Sequence, residues 1–183
     1  MKTARLTLRR WREQDRAPLS AMNADPEVMR HFPAILSRAE SDIALDRMEA
    51  HFAEHGFGLW AVECNDTGQF IGCAGLIVRE WETAFTPCVE IGWRFARAHW
   101  GRGFATEAAG AVVEHAFTVH AVDELIAVTA PANTASRRVM EKLGFTHNAQ
   151  DDFYDPRLPA GHPLRPLVLY RKRRPVLNAA VLP

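Results

Sequence analysis

Apolar and polar positions alternate from Ala4 to Trp11, with Leu6 and Leu8 set against Arg5, Thr7 and Arg9, which predicts a half-buried strand. The period then lengthens. Gln14 to Met22 and Pro26 to His31 read as short helical stretches, the second opened by Asp25 as cap and Pro26 as first helical residue. Ser37-Arg38-Ala39-Glu40 is a capping-box sequence for a longer helix, with Ile43, Met48 and Phe52 as its apolar stripe and Gly56 as its stop. Two further strands, Gly58 to Cys64 and Phe70 to Val78, are joined by the turn-forming Asn65-Asp66-Thr67-Gly68. After a polar and aromatic loop, Arg79 to Pro87, the segment Cys88 to Phe95 puts Val89, Ile91, Trp93 and Phe95 on one face. Glu90, Gly92 and Arg94 take the other.

Helical spacing returns in Thr106 to His120, where Ala109, Val112, Val113, Ala116 and Phe117 line one side of a central helix. Glu124 to Thr129 is a short apolar strand, Asn133 to Leu143 a helix ended by Gly144, and Phe145 to Asn148 begins another strand. Leu167 to Tyr170 closes the sheet. The stretch Asp155 to Pro166, with four prolines and a glycine, is expected to be a loop. This order predicts an α/β fold built on a largely antiparallel mixed sheet with helices on both faces. Its one parallel step joins the strand before the central helix to the strand after it, and such units place their ligand at the carboxyl end of the strand. Residues 1–173 are expected to form a single domain and 174–183 a C-terminal extension.

Composition narrows the function classes. The chain has 183 residues, 48% hydrophobic and 24% charged, enough for one substantial core. Lys and Arg total 22 against 22 for Asp and Glu, so no net field favours nucleic acid or an acidic membrane surface. No long apolar span or signal-peptide core is visible, and a cytoplasmic protein is expected. Cys64, Cys73 and Cys88 are odd in number and lack Cys-x-x-Cys spacing, which fits buried free thiols.

The chemistry concentrates at Trp100-Gly101-Arg102-Gly103-Phe104-Ala105-Thr106-Glu107-Ala108. Gly101 and Gly103 free the backbone for a tight turn, and the first amides of the following helix lack intrahelical acceptors, which makes an anion nest. Arg102 adds a charged donor. Two glycines before a helix are by themselves most often only a turn. The turn lacks the Gly-Lys-Ser/Thr ending of a P-loop, and Ala105 with Thr106 replaces the third glycine of a dinucleotide fingerprint.

Three segments in order carry a resemblance: Val89 to Phe95, the turn Gly101 to Ala108, and Asn133-Thr134-Ala135-Ser136 followed by Glu141-Lys142-Leu143-Gly144-Phe145. Together they look like the GNAT N-acetyltransferases, nearest the branch that acetylates N-terminal amines of ribosomal proteins, over about Leu6 to Tyr170. The resemblance implies acetyl-CoA as co-substrate without a metal, with pyrophosphate on the amides of Gly101, Arg102, Gly103, Phe104, Ala105 and Thr106. It also implies pantetheine beside Phe95 and contacted by Asn133. Trp100 departs from the Gln or Arg often found in the family, which removes a side-chain contact but not the backbone nest. The acceptor it implies is an amine on a protein N-terminus or a small molecule, with neither nucleic acid nor membrane as partner and a homodimer as a compatible assembly.

Acetyl transfer needs a neutral amine, whereas a lysine amine titrates near 10.4 and an α-amine near 7.7 to 8.0, so a base is useful. Glu90 is the candidate base by resemblance; its bland reading is a strand carboxylate in solvent or paired with Arg94. Ser136 is the candidate acid for the leaving thiolate, in place of a tyrosine, since Met140 stands near where that residue is expected. Its bland reading is a first-turn hydroxyl serving the helix N-terminus. Phe32, Trp60 and the Arg79 to Pro87 loop are candidate walls of the acceptor site, with Trp81 and Phe85 serving an interface or a lid. Two rivals stand beside this reading. His51-Phe52-Ala53-Glu54-His55 matches an inverted zinc-peptidase pattern, but Gly56 ends its helix at once and no later motif supplies a third ligand. A non-catalytic acyl-CoA sensor on the same fold is the other.

Overall fold

The computed structural model describes residues 1–175; the remainder of the expected extension, 176–183, lies outside the described residues. Eight strands, β1 (Leu6–Arg9), β2 (Leu59–Cys64), β3 (Phe70–Arg79), β4 (Cys88–Phe95), β5 (Glu124–Thr129), β6 (Thr146–His147), β7 (Phe153–Tyr154) and β8 (Pro166–Arg173), form the sheet. Its order is β1-β2-β3-β4-β5-β8-β6, with β7 paired to β8. Every pairing is antiparallel except β4 with β5, the expected parallel step. Five helices accompany them: α1 (Arg16–Ala24), α2 (Pro26–Met29), α3 (Arg38–His55), α4 (Phe104–Thr118) and α5 (Thr134–Lys142). Among the described residues no helix is long and apolar enough to cross a membrane.

The caps read from the sequence form as expected. Asp25 accepts from the Glu27 amide, and Ser37 and Glu40 close a reciprocal capping box at the start of α3. Gly56 ends α3 at φ 75, a left-handed conformation that a Cβ disfavours. The apolar stripe of α3 is displaced from the expected one. Leu45 and Phe52 are buried with Ser41, while Ile43 is 50% exposed, because the helix packs on α1 along the Ser41–Leu45 side, where Asn23 Nδ2 donates to Ser41 Oγ at 2.9 Å.

The register assigns the faces. Leu59, Gly75 and Gly92 are directly opposed across β2, β3 and β4, as are Ala61, Cys73 and Arg94, so these residues share one face with Glu90. Met29 of α2 and Phe32 touch Arg94 on that face. The other face carries Trp60, Ala74 and Trp93 and is covered by α4, whose His115 ring lies 5.5 Å from Trp60. The main core lies on this α4 side, where Leu6, Leu8, Leu76, Ala108 and Val112 are buried. Helices therefore flank both faces.

Candidate active site

The parallel pairing of β4 and β5 is short. Only Val89 with Leu125 and Glu90 with Ile126 are in register, although β4 continues to Phe95 and β5 to Thr129. Beyond Glu90 the strands part. Ala96 N donates to Ile71 O, so Gly92 and Arg94 turn their peptide groups toward β3, and those of Trp93 and Phe95 face the side that β5 has left. The Phe95 carbonyl accepts from Trp100 Nε1 at 2.7 Å.

A cleft of about 690 Å³ occupies this opening. At its end, the turn leads into α4. Gly101 (φ 72) and Gly103 (φ 80) are both left-handed, and Gly103 is an N-cap with no side chain to accept from the helix. Since the first intrahelical bond is from Glu107 N to Gly103 O at 3.0 Å, the amides of Phe104, Ala105 and Thr106 have no helical acceptor. An uncapped fifteen-residue helix start at the mouth of a cleft fits a pyrophosphate. Gly101, Gly103, Phe104, Ala105 and Thr106 line the cleft, whereas Arg102 does not. Its carbonyl accepts from Arg5 Nη1 at 3.0 Å and its guanidinium stacks 4.7 Å from the Phe104 ring, so Arg102 sits outside the wall.

Asn133 and Ser136 stand on the opposite bank, where α5 follows β5. Asn133 Oδ1 caps the helix by accepting from Ser136 N at 3.2 Å, while its Nδ2 donates to Thr129 Oγ1 at 2.9 Å. Asn133 therefore supplies the cap that a first-turn hydroxyl was an alternative for, and Ser136 Oγ has no hydrogen-bond partner among the described residues. Met140, four residues on in the same helix, is buried. The chain has two tyrosines, and neither lines the cleft: Tyr170 OH binds Glu141 Oε1 at 3.0 Å and Arg137 Nε at 3.1 Å, and Tyr154 is exposed.

Glu90 lines the cleft with 7% exposure. It is neither in solvent nor paired with Arg94. Its Oε2 meets Arg79 Nε at 2.5 Å, a diagonal cross-strand pair, whereas Arg94 stands four positions further along the strand, about 13 Å of backbone away. Arg79 and Arg157 lie against the Trp81 ring, at 4.9 and 4.7 Å. Arg157 grips Asp155 through two hydrogen bonds of 2.8 and 2.6 Å, which hold the Asp155 carboxyl below its ordinary range against the opposing effect of burial.

Phe32 lines the cleft as expected, and Trp60 does not. A strand's alternate side chains point to opposite faces, so Leu59 reaches the cleft while Trp60 packs under α4 and against Phe52. Arg79, from the loop expected to wall the acceptor site, lines the cleft. Beside it stand Arg94, named from the sequence only as a partner for Glu90, and four residues the sequence does not single out as site residues, Asp155, Arg157, Leu158 and Leu164. The last four belong to the proline-rich loop, which is folded by its own turns, with Asp155 N bonding Arg165 O at 2.7 Å. Trp81 is part of the wall, and Phe85 packs on Phe153 at 4.9 Å.

The zinc pattern is overturned by hydrogen bonding. His51 Nδ1 donates to Phe57 O at 2.8 Å and its Nε2 accepts from Val78 N at 3.0 Å, so both ring nitrogens are occupied by backbone and none is left for a metal.

Comparison with known proteins gives a consistent picture. The family model for an acetyltransferase (GNAT) domain matches residues 5–146. Protein YkkB of Bacillus subtilis is 32% identical over 147 residues, covering 80% of this chain and 84% of that protein. The crystal structure of an acetyltransferase from Agrobacterium tumefaciens aligns with TM-score 0.75 and 26% identity over 94% of this chain and 93% of that one. RimL, an α-N-acetyltransferase of ribosomal protein L7/L12 solved with coenzyme A, shares the fold at TM-score 0.75 and 14% identity, over 93% and 95% of the two chains.

Proposed function

This chain belongs to the GNAT acetyltransferase family, and from that premise we propose that it transfers an acetyl group from acetyl-CoA to a primary amine, on a protein N-terminus or a small molecule, by direct attack in a ternary complex. The observation that carries the reading is the parting of β4 and β5 after Glu90, which opens a slot faced by peptide groups of β4 that β5 no longer pairs and ended by the bare N-terminus of α4. RimL, solved with coenzyme A, supports a coenzyme A thioester as the co-substrate here.

In this reading the amides of Phe104 to Thr106 hold the pyrophosphate, and the peptide groups of β4 that face the slot direct the pantetheine arm. Glu90 takes the proton from the acceptor ammonium, directly or through a water, on the oxygen that Arg79 leaves free. The amine nitrogen bonds to the thioester carbonyl carbon, the carbon–sulfur bond breaks, and Ser136 Oγ gives its proton to the departing sulfur while taking up, directly or through a water, the second proton that the nitrogen sheds, so that amide, thiol and serine all end neutral. Arg79 fixes the Glu90 carboxylate in place.

Initial rates measured while both substrates vary test the order. Intersecting double-reciprocal lines are expected, and parallel lines would replace direct attack by an acetyl-enzyme. Gly103→Val tests the pyrophosphate site: its β-branched side chain is strained at φ 80, so acetyl-CoA affinity by calorimetry falls at least about tenfold with the fold kept. Unchanged affinity places the pyrophosphate elsewhere.

A further inference from the structure

Four arginines stand on the cleft wall made by the Glu90 face of the sheet, the α2 segment and the proline-rich loop: Arg30, Arg79, Arg94 and Arg157. Three have carboxylate partners, Arg79 with Glu90 at 2.5 Å, Arg157 with Asp155 at 2.6 Å and Arg30 with Glu27 at 3.6 Å. Arg94 has none among the described residues. Its Nε is buried without an acceptor and its Nη1 meets the Met29 sulfur at 3.3 Å. The Phe32 ring lies 4.9 Å from its guanidinium carbon, and Cys73, whose thiol is pushed up and kept neutral by burial, faces it across β3.

Sulfur and an aromatic face are weak partners for a planar fork of donors that matches a carboxylate, and a half-buried guanidinium whose buried Nε has no acceptor favours an anion beside it. Between Glu90 and Arg94, on the same face, is Gly92. A Cβ added there would meet nothing within 4 Å. The floor between the buried carboxylate and the lone guanidinium is therefore bare, along about 13 Å of strand.

We propose that Arg94 is the specificity-determining anchor for a carboxylate of the acceptor, and that the acceptor is an amino acid or a related amine bearing an acid group, lying over Gly92 with its amine toward Glu90. This deepens the acetyl-transfer reading and rests on it. The wall's carboxylates, Glu27, Glu90 and Asp155, are each matched by an arginine, and Arg94 leaves positive charge in excess. Burial and the neighbouring Arg30 favour neutral His31, which adds no compensating anion. A polyamine would bring more positive charge to a wall that already has too much.

The test compares amines that differ only in the acid group: amino acids against their amides and against their decarboxylated amines, scored by thiol release, with acetyl-CoA affinity measured separately by calorimetry. The wild type is expected to favour the acid-bearing member by about 10- to 100-fold in kcat/KM, the size of a charge-assisted hydrogen bond. Arg94→Gln removes that preference through acceptor KM, Arg94→Lys restores part of it, and acetyl-CoA affinity stays unchanged in both. Equal or reversed preference in the wild type, or an Arg94→Gln defect that falls equally on both members or on acetyl-CoA affinity, overturns the proposal and leaves acetyl transfer standing. If no amine turns over, the N-acetyl amino acids and their amides are titrated directly. Tighter binding of the acids that depends on Arg94 then keeps the anchor and removes the transferase reading, and equal binding removes both.

Discussion

At the scale of single residues, Glu90 and Ser136 face the same opening from opposite banks, and each has an oxygen that no neighbour among the described residues engages. Glu90→Gln and Ser136→Ala are each predicted to lower kcat by about 100-fold, the scale of general acid–base catalysis, with acetyl-CoA affinity changed little. Wild-type pH–rate profiles in both variants would remove the two side chains from the mechanism. The positions of both residues were legible because strand alternation and a motif at a helix start fix where a side chain leaves the backbone. Their partners were not. Arg79 reaches Glu90 only through the β3–β4 register, and the sequence nominated Arg94, which shares the face but stands too far along the strand. Leu59 and Trp60 show the same limit: the strand was readable, but which of its faces looks into the cleft depends on where α2 and α4 pack.

Elements are held in place by contacts distant in sequence. Glu107, in the first turn of α4, accepts from Thr3 Oγ1 at 2.6 Å, Arg5 N at 2.9 Å and Arg5 Nε at 2.6 Å, tying the chain's first residues to the helix that presents the nest. Burial works against this carboxylate's charge, yet the Thr3 and Arg5 bonds hold its titration below the ordinary range. Glu107→Ala is predicted to destabilise the protein by about 1–3 kcal/mol in urea unfolding, with acetyl-CoA affinity lowered as well. His51 locks α3 to β3 as a neutral ring, and burial lowers its titration. In the unfolded chain His51 takes a proton near pH 6.5, before it does in the folded protein, so the unfolded state binds more protons in that window. Stability is therefore full above about pH 6.5 and falls as the pH drops toward the lower folded-state value. His51→Gln should flatten the fall in urea midpoint between about pH 7.5 and 5.5; an undiminished slope assigns it to other groups. The helical spacing of His51 and His55 was legible, but not the Phe57 carbonyl and Val78 amide that occupy the first ring.

For the molecule as a whole, the succession of elements along the chain, the single parallel step and the helix that follows β4 could be read from alternation and glycine punctuation, whereas the insertion of β8 between β5 and β6 is a long-range pairing that no local pattern announces. The loss of pairing after Glu90 could not. β4 alternates through Phe95 just as a paired strand does, and only the course of β5 shows that the two separate. Much the same holds for the 155–166 loop, whose prolines announce a loop but not that Arg157, Leu158 and Leu164 come to rest on the cleft. The central claim is that this opening binds acetyl-CoA for transfer to an amine. The most direct measurement is thiol release from acetyl-CoA across an amine panel, with the products weighed by mass spectrometry. Amine-dependent release matched one for one by N-acetylated product, and lost in Gly103→Val, is the predicted result; tight binding of acetyl-CoA with no amine-dependent release contradicts it and makes the protein a sensor.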